Sequence, residues 1–147
     1  MSFMRFAYDQ FGLPVFQAGD KRFDALGSWL TTDISTHALV ALDALAMLAD
    51  VAQGRPPFEE WSSDNYEVTF EPGGVSISNQ WVDSEHGRYP LPEFREALEQ
   101  YWAFLRNSPD NPHVVREFHP DLPHWEAALL RWEEKWGRPH PDRGRLF

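Results

Sequence analysis

Not one cysteine occurs among the 147 residues, which removes disulfide bonds, a thiolate nucleophile and thiolate-ligated zinc together. Cationic side chains are scarce as well: 13 Lys and Arg stand against 23 Asp and Glu, a formal net charge of −10. Affinity for nucleic acid comes from Lys and Arg that release counterions from phosphate, so this balance argues against a nucleic-acid partner. Long apolar runs are missing. The most apolar stretch, residues 38–49, is interrupted by Asp43 and is too short to cross a bilayer, so no membrane partner is expected. The opening residues, MSFMRFAYDQ, lack the cationic start, apolar segment and small-residue cleavage site of a secretion signal. With the absence of Cys, this leads us to expect a cytoplasmic protein. No Walker loop, GxGxxG or HExxH is present. The only double glycine, Gly73-Gly74, has no Lys or helix behind it.

What the sequence does hold is one complete supersecondary unit in residues 65–105. Tyr66, Val68 and Phe70 alternate with Glu67, Thr69 and Glu71, giving a strand with one apolar and one wet face. Glu71-Pro72-Gly73-Gly74 then reverses the chain, Pro presetting φ at the first corner and Gly supplying the positive φ of the second. Val75 and Ile77 resume the alternation. After a polar loop, Pro92 opens a helix whose apolar residues Phe94, Leu98, Tyr101, Trp102 and Leu105 fall down one side.

Around this unit the remaining elements can be placed in order. Phe6 and Tyr8, the turn Asp9-Gln10-Phe11-Gly12, and Leu13, Val15 and Phe16 read as a first hairpin. Pro14 cannot donate to a ladder, so its strand starts there or lies at an edge. Ser28-Trp29-Leu30 reads as a short helical turn. Ser35 or Thr36 can cap a helix that ends before Gly54. In it Thr36, Asp43 and Asp50 trace a narrow polar stripe on an otherwise apolar surface, the mark of a central core helix. Beyond Asn107 the texture changes: residues 108–147 carry 6 of the 12 prolines and 4 of the 6 histidines. One helix is clear there, with Trp125, Leu129, Trp132 and Trp136 down one side, a stripe too apolar to leave in water. Residues 138–147 show no periodicity and are expected to be mobile.

The expected fold class is therefore α+β. An antiparallel sheet is built from two hairpins, at about residues 3–17 and 65–81; it is packed by a central helix at about 36–53 and a second at about 92–107, with a Trp-rich C-terminal helix at about 123–136. Residues 1–107 are expected to be one α+β domain and residues 108–147 an extension packed on it.

Templates for chemistry fail one after another. His113, His119 and His124, with Asp121 between two of them, are spaced six and five apart and separated by Pro120 and Pro123, whereas a helical metal pair converges at i, i+3 or i+4. Asp83-Ser84-Glu85-His86 holds a hydroxyl, a base and acids, but neighbours in one loop rarely reach triad geometry. Glu59 and Glu60 are adjacent, whereas a glycosidase pair flanks a cleft from separate elements. The aromatic set Trp61, Tyr66, Trp81, Tyr89, Tyr101 and Trp102 could stack bases or a sugar, yet at such periodic positions aromatics are mostly core. No catalytic residue, metal or cofactor is expected. The acidity itself is uneven: residues 61–105 hold 8 acids and 2 bases, while residues 106–147 hold 7 of each. Negative charge thus sits on the strand and helix unit, which suits either solubility or a basic partner.

With these residues laid out, the order resembles the small bacterial YacL-like family across about residues 3–107. The similarity rests on Tyr8, Asp9 and Gly12 in the first hairpin, then Trp29, then Tyr66, Gly74 and Asn79 in the second, and Tyr101, Phe104 and Leu105 in the closing helix. That family brings no catalytic residues. The small acidic Cys-free layout is also similar to immunity proteins of contact-dependent and polymorphic bacterial toxin systems. This second resemblance implies a non-enzymatic protein that masks a co-produced toxin, commonly a basic nuclease. The partner-binding residues expected on that reading are Glu59, Glu60, Asp64, Asp83 and Glu85, with Trp61 as an aromatic anchor. The alternatives are a homodimeric module of the YacL-like kind and a small hydrolytic enzyme with a pocket under the C-terminal helix.

Overall fold

The first hairpin owes its turn to one carboxylate. Asp9 accepts from the backbone N–H groups of Phe11 and Leu13 at 2.8 and 2.9 Å, and joins β1 (Met4–Tyr8) to β2 (Pro14–Ala18). Pro14 begins its strand opposite Tyr8, where a missing donor breaks no internal ladder. The structure, a computed structural model, describes residues 4–110, 112–113 and 115–147; Phe3, at the start of the expected hairpin, lies outside them.

The chain is α+β, with four helices and two antiparallel sheets among the described residues. The two hairpins lie in separate sheets. Among the described residues β1 and β2 pair only with each other, while the second hairpin is the middle of a four-stranded sheet ordered β3-β4-β5-β6. In it β3 (Trp61–Ser62) and β6 (His86–Tyr89) flank β4 (Tyr66–Glu71) and β5 (Gly74–Asn79). Tyr66, Val68, Phe70, Val75, Ile77 and Tyr89 are buried on one face; Glu67, Thr69, Glu71, Ser78 and Arg88 stand exposed on the other. One face packed and one wet is the usual state of an antiparallel sheet.

A 3₁₀ turn at Lys21–Phe23 leads into α1 (Asp24–Trp29), which runs on into a π turn at Leu30–Ile34. Gly27 faces β2 so closely that a Cβ there would lie 2.3 Å from a ring carbon of Phe16. Gly27→Ala is therefore expected to lower stability by roughly 1–3 kcal/mol, the range for overpacking, read from the denaturant midpoint. An unchanged midpoint would mean that Phe16 swings aside freely.

The central helix begins later than its sequence suggests. Ser35 adopts φ 51 as it closes the π turn and Thr36 is exposed, so neither caps the helix. Instead α2 (Ala38–Ala52) starts after His37, which makes no side-chain cap bond. It packs against both α3 (Leu91–Arg106) and α4 (His124–Trp136). Its polar stripe is the seam for the C-terminal segment: Asp43 accepts from the Trp132 indole N–H at 2.8 Å, and the buried Asp50 meets Arg138 at 3.1 Å. Burial raises the Asp43 carboxyl above its usual range, with the Trp132 bond opposing it.

Residues 138–147, expected to be mobile, are held down. Arg145 makes a two-pronged contact with Glu99, 3.1 Å on each side, and meets Asp142 at 2.8 Å; Arg143 pairs with Glu133. Ion pairs have no periodicity, so the sequence carries no pattern for this anchoring. Buried His140 donates Nε2–H to the Leu42 carbonyl at 2.9 Å and accepts the Asp142 N–H on Nδ1 at 3.0 Å. Burial lowers its pKa, outweighing the Leu42 bond and the nearby carboxylates of Asp142 and Glu133, while Arg138 adds to the lowering. In the unfolded chain a His protonates near pH 6.5. The folded state resists that proton, so His140's contribution is complete above about 6.5 and is lost as pH falls toward the folded value. Urea midpoints should drop between pH 7 and 5 more steeply for the wild type than for His140→Asn. Parallel pH profiles would rule this out.

Candidate functional site

Two loops meet at one end of the four-stranded sheet, the 63–65 loop before β4 and the 80–85 loop after β5. Asn79 ends β5 because its side-chain oxygen takes the N–H groups of Trp81 and Val82, at 2.8 and 3.0 Å, a local bond that competes with the ladder. Gln80 then stitches the loops together. Its backbone N–H goes to the Asn65 carbonyl at 2.7 Å and its side-chain amide to the Ser63 carbonyl at 2.8 Å. A third stitch is the Trp81 indole N–H, donated to the Asp64 carbonyl at 2.8 Å.

Asp64 lies in the first of these stitched loops, Asp83 and Glu85 in the second. Asp64 and Asp83 are exposed. Glu85 is half-buried, accepting from the Tyr66 hydroxyl; burial, then that bond, raises the Tyr66 hydroxyl above its ordinary value and keeps it a donor. Glu59 and Glu60 lie apart, before β3, about four residues or roughly 13 Å of extended chain from Asp64. They line a shallow cleft of about 340 Å³ with Ser62, Glu67 and Thr69. Among the described residues none of these five carboxylates forms an ion pair, whereas Asp50, Glu71, Glu93, Glu99, Glu133 and Asp142 each meet an arginine.

Trp61 is half-buried and lines the same cleft as Glu59 and Glu60. Its indole donates to Asp33 at 3.1 Å and its ring meets Trp29 edge-on at 5.0 Å between centroids, so it closes the core from the sheet edge. The open indole belongs to Trp81, which is 75% exposed beside Val82 at 45%. The sequence groups Trp81 with aromatics at periodic positions, which are mostly core. The overlooked signal is Asn79, a polar residue in the inward phase that stops the strand before Trp81.

Among the described residues, His86, His119 and His124 are engaged with backbone carbonyls and a carboxylate. A cavity of about 930 Å³ lies between the first hairpin's turn, the end of α3 and the start of α4, lined by Tyr8, Leu105, Ser108, Asp110, Phe118 and His124. Ser108 Oγ donates to the Phe104 carbonyl at 2.8 Å and accepts from Tyr8 at 2.6 Å, while His124 Nε2 meets the backbone oxygen of Ser108 at 3.0 Å. The imidazole therefore does not address the hydroxyl it would have to activate. His86 Nδ1 likewise contacts the Asp83 carbonyl at 2.7 Å, and His119 meets Glu134 at 2.7 Å. Among the described residues no three of His, Asp and Glu converge so as to hold a metal ion, and no helix is long and apolar enough to cross a membrane. No protein-family model, no curated protein and no solved structure matches the chain.

Proposed function

We propose that this chain is a non-enzymatic acidic binding protein, most concretely an immunity protein of the bacterial cytoplasm that occludes a basic, nuclease-type toxin domain. The observation that carries the reading is the set of five carboxylates, Glu59, Glu60, Asp64, Asp83 and Glu85, left without a cation of the chain's own among the described residues. Carboxylates already matched within the fold would have to break those pairs to meet a partner; these five do not. Their field steers a cationic surface toward the sheet end and fixes its register. The cross-stitched loops lose little freedom on docking, so more of the contact energy appears as affinity.

The test begins with the neighbouring genes, where the reading expects a large secreted protein with a variable C-terminal domain, and continues with co-expression of that domain. Growth should be rescued by the wild type and not by a variant with all five carboxylates changed to amides. Equal rescue by both, or a neighbourhood without such a domain, would refute the reading. A second reading, a homodimer of the YacL-like kind, is favoured by the open apolar tip of the first hairpin, where Phe11 is 77% and Leu13 56% exposed. A Phe11→Ser, Leu13→Ser variant should then turn from dimer to monomer in sedimentation.

A further inference from the structure

We infer that Trp81 is the anchor of this docking surface, and that its open indole face receives an arginine or lysine side chain of the partner within the rim of Asp64, Asp83 and Glu85. The inference rests on the proposed reading of a basic protein partner and names the contact that reading leaves open. An indole 75% open to water is a costly apolar surface to display. It is nonetheless fixed, through its N–H to the Asp64 carbonyl and its backbone N–H to Asn79. A ring held in place before binding loses little rotamer entropy on contact.

The single donor of the indole is already engaged, so what remains to offer is the ring face, whose negative quadrupole attracts cations and most strongly so in Trp. The chain's own cations show the same chemistry elsewhere: Arg22 lies over Phe23 at 4.0 Å, Arg106 over Trp125 at 4.1 Å and Lys135 over Trp136 at 4.8 Å. Among the described residues none lies over Trp81. Face and rim carry the same sign, which selects a cationic occupant over a purely apolar one. The exposed tip of the first hairpin differs here, since its one carboxylate, Asp9, is spent on the turn.

The test uses the full-length ¹⁵N-labelled protein, with the Trp81 indole resonance assigned from its loss in Trp81→Phe. Capped tetra-arginine, tetra-lysine and tetra-citrulline peptides are titrated at low salt. The arginine and lysine peptides should shift the Trp81 indole and the Asp64 amide saturably, and the uncharged citrulline peptide should not. Trp81→Ala should weaken binding roughly two- to fivefold. Trp81→Leu, which keeps apolar bulk without a π face, should weaken it alike, with the sheet amides unmoved in both. Citrulline binding as tightly as arginine, or Trp81→Leu binding as tightly as wild type, overturns the anchor. If affinity then still falls in Asp64→Asn, Asp83→Asn, acidic docking survives without Trp81. Cationic peptides that leave both loops unshifted defeat the anchor and the docking reading together.

Discussion

Replacing Trp132 with alanine is expected to lower the stability of the fold by about 3–5 kcal/mol, the range for removing a large buried aromatic side chain. Trp132 is 1% exposed and sits where α4, α2 and the last ten residues converge. Its ring lies 4.5 Å from His140 and 6.0 Å from Phe58, and its N–H satisfies Asp43. Alanine leaves a cavity between α2 and α4. It also leaves Asp43, a carboxyl already raised by burial, without its principal donor, and an unsatisfied buried group adds its own penalty. Trp132→Phe separates the two contributions: it keeps most of the volume and loses the N–H, so a loss of about 1–3 kcal/mol is expected. Total stability for a domain is about 5–15 kcal/mol, so the alanine variant should be partly unfolded on warming. A denaturation curve displaced by less than about 1 kcal/mol would mean that α4 is not integral to the core.

The elements that could be read from sequence are those whose apolar residues repeat at a single period. The alternation of Tyr66, Val68 and Phe70 and the spacing of Phe94, Leu98, Tyr101 and Leu105 each found their buried face. β3 and β6 were illegible because two residues and four residues are too few to display alternation. Ser35 reads as a helix cap in sequence, but its N–H closes the π turn on the Leu30 carbonyl at 3.0 Å and its φ of 51 takes it out of a capping conformation. The tail is not legible for a different reason: Arg138, Arg143 and Arg145 find Asp50, Glu133 and Glu99, partners that lie on three separate helical segments. At the site, the acidic residues could be named from composition and position, but exposure could not. Trp61 and Trp81 look equivalent in sequence. Trp61 is drawn inward by Asp33 and Trp29, while Trp81 stands beyond a strand that Asn79 has already ended.

If the proposed function holds, changing Glu59, Glu60, Asp64, Asp83 and Glu85 together to their amides slows association with the basic partner domain by about 10- to 100-fold at low salt. Dissociation should change far less, because steering acts on encounter. The fold should be unharmed: among the described residues none of the five holds an ion pair, and Gln at position 85 can still accept from Tyr66. Dividing the set distinguishes its two parts. Asp64, Asp83 and Glu85 belong to the two stitched loops that bear Trp81, while Glu59 and Glu60 line the cleft beside β3. Most of the slowing is therefore expected from the first group, and a loss confined to Glu59→Gln, Glu60→Gln would move the docking site to the cleft beside β3.

The most direct test is the association rate of the wild-type protein with that basic domain, followed by stopped flow as ionic strength is raised from about 0.01 to 0.15 M, over which the Debye length contracts from about 30 to 8 Å. Recognition by uncompensated carboxylates predicts a steep fall in the association rate with a nearly level dissociation rate. An association rate that stays constant across that range would contradict it.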